Sequence, residues 1–310
     1  MIRGAGVGVD CALFPPFDCA QTVTLSLPVA GDILIRHAVY AAAGSVAAGG
    51  GLPKTVLLNL TLPEKAREIR LQEMMQAASE VCHELGLEIA GGHTEVSDAV
   101  NRSVVSVTAC GTYASVLPVS GKPDRGNEKK TYSGYDIVVT KYIAAETAAL
   151  LASAREEQLR ARFPAAMLEE VKGYESYSLS VLPEAATAMK SSICLMHDIR
   201  EGGIFGALWE MAQGAGVGLT IDLKKIPMKQ SIVEICNYYD LNPYESMSTG
   251  CLLAAVPDGE AFAGTLAEAS IPAAVIGKLT ESNDRIVKNG EETRYLDLPK
   301  PDQIRNLLRD

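Results

Sequence analysis

The chain is poor in the residues that build the commonest catalytic and redox devices. Only four histidines (His37, His83, His93 and His197) occur in 310 residues, and none falls in an H-E-x-x-H run that pairs two imidazoles for zinc. There is no G-x-S-x-G elbow, so a hydrolase nucleophile of that type is excluded. The seven cysteines (Cys11, Cys19, Cys82, Cys110, Cys194, Cys236 and Cys251) are scattered, odd in number and never in C-x-x-C spacing. That pattern argues for reduced thiols in the cytoplasm rather than a disulfide framework. No apolar run reaches the ~20 residues that cross a bilayer, so no membrane partner is expected. Met1-Ile2-Arg3-Gly4 lacks the apolar core of a signal peptide. Basic charge is also short. Lys and Arg number 28 against 38 Asp and Glu, a net charge of −10, which argues against a nucleic-acid groove or an anionic membrane surface as the main partner. A polyphosphate would need a cation or a local basic group to bind here.

What is present is enough apolar residue, 47%, and enough length to bury two cores. Residues 7–14 and 22–27 read as strands. Residues 32–48, rich in Ala and Gly, read as a helix able to lie close against a sheet. Val56, Leu58, Leu60 and Leu62 alternate and predict a strand over 55–62, stopped by Pro63. Residues 66–85 form an amphipathic helix with Ile69, Met74, Ala77, Val81 and Leu85 near one stripe and Gly86 as its C-cap. Short strands follow at 87–90 and 103–110. The polar run 117–134 reads as a linker or loop, so the expected division is 1–116, linker 117–134, and 135–310. Beyond it, strands are expected at 136–143, 193–196, 217–223, 251–256 and 273–278. Helices are expected at 203–214, 232–239 and 260–269, with a hairpin turning at Asn289-Gly290. Strand–helix alternation with a hairpin predicts an α/β (α+β) chain of mixed sheets covered by helices.

Four clusters carry candidate chemistry. In His197-Asp198-Ile199-Arg200-Glu201-Gly202-Gly203 an apolar strand ends in Asp and turns through two glycines into a helix. This is either a phosphate site, with backbone N–H groups presented to an anion, or a tight connection. Gly91-Gly92-His93-Thr94-Glu95-Val96 lies between two expected strands and suits a cation, a phosphate or a plain polar turn. Asp10, in an otherwise apolar strand, must be paired or a ligand. Ser246-Met247-Ser248-Thr249-Gly250 is a hydroxyl-rich turn, either substrate-binding or capping. Cys194 and His197 point to opposite faces of one strand, which excludes a thiol–imidazole nucleophile there. His37 and His83 fall on helices and read as packing or surface residues.

In register these segments resemble the AIR synthase-like superfamily, the group with a PurM-like fold that includes selenophosphate synthetase, thiamine monophosphate kinase and the hydrogenase maturation protein HypE. The resemblance runs through Gly8–Ala12, Ala90–Val96, Val105–Gly111, Val138–Ile143, Met196–Gly203 and Asn242–Gly250, and is nearest to the HypE-like branch. It implies two α/β domains, and a homodimer whose N-terminal sheets pair into a barrel. It also implies ATP with magnesium at an interdomain and dimer cleft, and ATP-dependent activation of a small carboxylate or amide substrate. By position, Asp10 is the implied metal ligand, and Asp198 and His93 are the implied catalytic groups. Thr94, Lys141, Gly202 and Gly203 are the implied ATP-binding residues; Arg200 stands where relatives often carry Thr, and its guanidinium is suited to face the phosphate or a carboxylate. Several family features are replaced. Leu25-Ser26-Leu27-Pro28 carries no acid after the second strand, and Gly44-Ser45 stands where relatives carry Asn-Asp. The Gly-rich turn after Lys141 reads Ala144-Ala145, and no Gly-rich arm precedes the first strand. The end, Asn306 to Asp310, lacks the reactive cysteine of HypE, so thiocarbamate dehydration is not expected. These losses lower the negative field for magnesium, which one or two carboxylates usually hold. The alternative reading is a non-catalytic member with a structural or regulatory role.

Overall fold

Helix α1 (Gly31–Ala48) is apolar on nearly every side, and 14 of its 18 residues are buried. A helix hydrophobic all round must be enclosed on all sides, and α1 is enclosed between two sheets. The computed structural model describes residues 12–14, 18–113, 132–176, 179–190 and 195–309. Asp10, Cys194 and most of the expected 117–134 linker lie outside them.

The first sheet has five strands: β1 (Ala12–Phe14), β2 (Asp18–Leu25), β3 (Gly51–Pro63), β4 (Glu88–Ser97) and β5 (Val104–Tyr113), in the order β1-β2-β5-β3-β4. All pairings are antiparallel except β3 with β4. Alternation along β3 buries Val56, Leu58, Leu60 and Leu62 against α1 and leaves Leu57 and Asn59 outward. Helix α2 (Glu68–Leu85) packs beside α1 through Met74, Ala77, Ala78, Val81 and Cys82 and ends at Gly86 in the left-handed conformation. The apolar stripe is one turn shorter than expected. Ile69, in the first turn of α2, is 48% exposed among the described residues.

The second sheet has seven strands: β6 (Asp136–Thr140), β7 (Leu195–Ile199), β8 (Gly218–Asp222), β9 (Cys251–Val256), β10 (Ala273–Thr280), β11 (Arg285–Asn289) and β12 (Glu292–Tyr295). Their order is β12-β11-β8-β10-β6-β9-β7, a mixed sheet in which only β8 and β11 run parallel. Helices α3 (Ala145–Ala154), α4 (Glu156–Arg160), α5 (Ala165–Ser176) and α6 (Leu182–Ala188) follow β6. Helix α7 (Gly203–Ala215) follows β7, and α8 (Gln230–Tyr238), α9 (Gly259–Glu268) and α10 (Ile304–Leu307) complete the chain. The fold class is as expected, with mixed sheets and covering helices.

The two halves share apolar packing. One cluster runs from Val23, Leu58 and Val107 of the first sheet, through α1 and α2, to Leu150, Leu168, Ile232 and Ile304. Ala47 and Ala48 of α1 also pack with Val181 and Ala254. The small side chains of α1 permit this, since a bulkier helix would hold the sheets apart. The described cysteines form no disulfide. No described helix is long and apolar enough to cross a membrane.

Candidate functional site

Strand β7 is the edge of the second sheet that meets α1, and this sets the position of Asp198. Asp198 lies inside β7, not in the turn after it, and is 6% exposed. Ser45 Oγ, from α1, donates a 2.8 Å hydrogen bond to Asp198 Oδ2, and Arg200 Nε lies 3.3 Å from the same oxygen. Asp198 Oδ1 is buried with no hydrogen-bond partner among the described residues. Gly44-Ser45 stands where the resemblance expects Asn-Asp, so a hydroxyl donor here meets a carboxylate rather than adding to its charge.

Asp198 and Arg200 line a cleft of about 330 Å³ between the halves, closed on the other side by Thr22 and Thr24 of β2. The hydroxyls of both threonines are tied across the sheet, Thr22 to Thr108 at 2.8 Å and Thr24 to Ser106 at 2.7 Å. Glu201, His197, Glu210 and Thr249 complete the polar lining, with His197 Nε2 2.9 Å from Glu210 Oε2. Beneath it, Glu146 of α3 is fully enclosed. His37 Nδ1 lies 2.6 Å from its Oε1, and the Thr249 N–H donates to Oε2 at 2.7 Å. Burial alone would raise this carboxyl. The hydrogen bond and charge of His37, with the Thr249 N–H, outweigh it and hold the group below the usual carboxylate range. His37 is thus neither generic packing nor surface, but the first half's contribution to a buried polar contact across the interface. The Ser246–Gly250 turn caps α3, since Ser248 Oγ accepts from the Ala144 N–H at 2.8 Å and Thr147 donates to the Met247 carbonyl, and its Thr249 also faces the cleft.

Other expected residues lie elsewhere. Gly202 and Gly203 are both buried, with φ of 83° and 62°. A Cβ on Gly203 would stand 2.5 Å from the Tyr244 carbonyl oxygen and 2.7 Å from the Ser246 nitrogen. The second glycine is therefore required by the Pro243–Glu245 turn packed on it, and neither glycine lines the cleft. Residues 91–96 are not a turn but the middle of the ten-residue strand β4. Gly92 answers to strand pairing, since a side chain there would strike the Leu58 backbone of β3. His93 and Thr94 are exposed on β4, with His93 Nε2 3.9 Å from Glu95 Oε2, and neither lines the Asp198 cleft. Lys141 is buried and occupied internally. Its Nζ is 2.7 Å from Glu184 Oε1 and donates to the carbonyls of Ser180 at 2.5 Å and Gly250 at 3.0 Å. Burial keeps the Glu184 carboxyl above its usual range in spite of the Lys141 charge.

Thr22 and Thr24 acquire their place at the site only through packing. Their one sequence signal is polarity inside otherwise apolar segments. No group of three or more described His, Cys, Asp or Glu side chains is placed to hold a metal. Asp198 already has a guanidinium at one oxygen and a hydroxyl donor on it, which fits a magnesium ion poorly.

Residues 17–113 match the AIR synthase related protein N-terminal domain, and residues 137–288 match the C-terminal domain of the same family. A putative hydrogenase expression/formation protein of Methanocaldococcus jannaschii is 28% identical over 279 residues, covering 88% of this chain and 78% of that protein. A chain of the HypE–HypF complex superposes with a TM-score of 0.74 at 18% identity, covering 94% of both chains. The hydrogenase maturation protein HypE in complex with ATP superposes with a TM-score of 0.70 at 17% identity, covering 94% of this chain and 88% of that one.

Proposed function

The chain belongs to the AIR synthase related protein family, and from that premise we propose that it is a HypE-like ligand-binding protein whose Asp198 cleft takes ATP or another phosphate-bearing small molecule. One observation carries the reading. Asp198 Oδ1 is a buried acceptor without a partner among the described residues, on a side chain lining a polar cleft that Arg200 also lines. An unsatisfied buried acceptor costs about 1–3 kcal/mol, which a ligand hydroxyl or amide N–H would relieve. The Arg200 guanidinium, 35% exposed on its side chain, is the complementary group for a phosphate or carboxylate. The fold's likeness to HypE in complex with ATP supports the nucleotide as ligand.

In its enzymatic form the reading is ATP-dependent activation of a small carboxylate or amide. Asp198 would orient the substrate's donor, and Arg200 would face the transferred or accepting anion. The second reading, a non-catalytic member, is favoured by the neutral Ser45 hydroxyl on Asp198 and by the internal use of Lys141. A homodimer through the open face and edge of the first sheet belongs to both. Leu57, Ile89 and Val96 are exposed there, between 37% and 59%.

Calorimetric titration with ATP, with and without magnesium, tests the binding. Saturable binding is expected, weakened about tenfold by Arg200→Ala. No binding at millimolar nucleotide would remove the reading. Binding without phosphate release, across a panel of small carboxylates and amides, would favour the second reading over the first.

A further inference from the structure

A second hollow, of about 440 Å³, has none of the described residues expected at the site in its wall. Three guanidinium groups line it: Arg102 from the β4–β5 connection, Arg305 from α10, and Arg309 just beyond α10. Ser26 and Asn101 add neutral polar groups, and among the described residues Asp98 is the one acid in the wall. Three guanidinium groups stand against Asp98 in the wall and Glu201, which pairs with Arg305 from outside it, and leave one net positive charge, in a chain whose net charge is −10.

These arginines are not all neutralised within the protein. Arg305 pairs with Glu201, and its other terminal nitrogen lies 3.3 Å from Ser26 Oγ. Arg102 donates to Asn101 Oδ1 at 3.3 Å, and neither it nor Arg309 has a carboxylate partner among the described residues. Arginines on an open face would be adequately served by water. Around a concave wall they leave a positive field that a small anion relieves.

We propose that this hollow binds the phosphate group of a small molecule without a divalent cation. The planar guanidinium fork meets a phosphate through two parallel N–H···O bonds, which an ammonium does not. Ser26 and the Asn101 amide supply further donors. The assignment is independent of the nucleotide reading of the Asp198 cleft. The two hollows are neighbours, because Glu201, the partner of Arg305, lines that cleft.

Inorganic phosphate is the probe, titrated in EDTA at constant ionic strength and followed by calorimetry or phosphorus NMR line width. Saturable binding is expected, unchanged on adding magnesium. The double variant Arg102→Ala, Arg309→Ala should bind about tenfold or more weakly. Arg102 is half-buried and Arg309 exposed, so that variant should keep the wild-type melting profile. Arg200→Ala should leave phosphate affinity unchanged, which separates this hollow from the Asp198 cleft. The proposal is overturned by no saturable binding at about 10 mM phosphate, by binding that disappears in EDTA, or by a loss that follows Arg200 instead of Arg102 and Arg309. Malonate binding as tightly as phosphate would overturn the phosphate assignment.

Discussion

His37 Nδ1, on α1, lies 2.6 Å from Glu146 Oε1, on α3, and both side chains are buried. The contact bridges the two halves 109 residues apart in sequence and is completed by the Thr249 N–H on the other carboxylate oxygen. Removing one member of a buried charged pair leaves the other enclosed and uncompensated.

His37→Leu should therefore cost about 3–5 kcal/mol in urea denaturation. The pH dependence has a definite sign. The Glu146 carboxyl sits below its unfolded value of 4.5 in the folded protein. Its stabilisation is present in full above that value and is lost as pH falls through the lower, folded one. Glu146→Gln should lack this component of acid unfolding. A variant that melts with the wild-type acid profile below pH 4.5 would show that the pair does not hold the halves together.

Lys141 is held by Glu184 and two carbonyls, so its substitution should act on stability and not on ligand affinity. Lys141→Met leaves Glu184 buried alone and should cost about 3–5 kcal/mol, most of it recovered when Glu184→Leu is added. A Lys141→Met protein of normal stability with weakened ATP binding would return Lys141 to the ligand site.

The two glycines that start α7 should differ in their tolerance of a side chain. Gly202→Ala meets no atom closer than 3.7 Å and should cost the left-handed backbone penalty of about 1–2 kcal/mol. Gly203→Ala adds a collision with the Tyr244 carbonyl and the Ser246 nitrogen and should cost more, by thermal or chemical denaturation. Equal losses would mean that the Pro243–Glu245 turn does not constrain the second glycine.

Asp302, at the start of the C-terminal segment, is buried and accepts from the Ile304 N–H at 3.0 Å. Burial pushes its carboxyl up to about 6, from 3.8. An acid raised in this way loses stabilisation as pH rises from 3.8 through 6. Asp302→Asn should therefore stabilise the protein by about 1–3 kcal/mol at neutral pH, and the gain should fade as pH falls through that window. A gain that persists undiminished at pH 4 would point to packing instead of charge.

Much of the local structure was legible in the chain. The alternation in β3, the span of α1, the left-handed cap at Gly86 and the hairpin at Asn289-Gly290 all follow from periodicity and turn chemistry, which act within a few residues. The order of segments also sufficed to identify the family. The glycine pairs were less legible, because Gly-Gly has the same composition whether it cradles an anion or admits a neighbouring backbone. Gly92 and Gly203 meet β3 and the Pro243–Glu245 turn, contacts that no local pattern records.

The sequence by itself therefore determined most of the elements, though not the length of β4, together with the mixed α/β class and the absence of a long apolar span. Only the tertiary structure decided which polar residues meet. It set Ser45 on Asp198, His37 on Glu146 and Lys141 on Glu184, and it gathered Arg102, Arg305 and Arg309 around one hollow. The reason is physical. Secondary structure follows from short-range sterics and hydrophobic period, whereas the partner of a buried charge is chosen by which segments the core brings together.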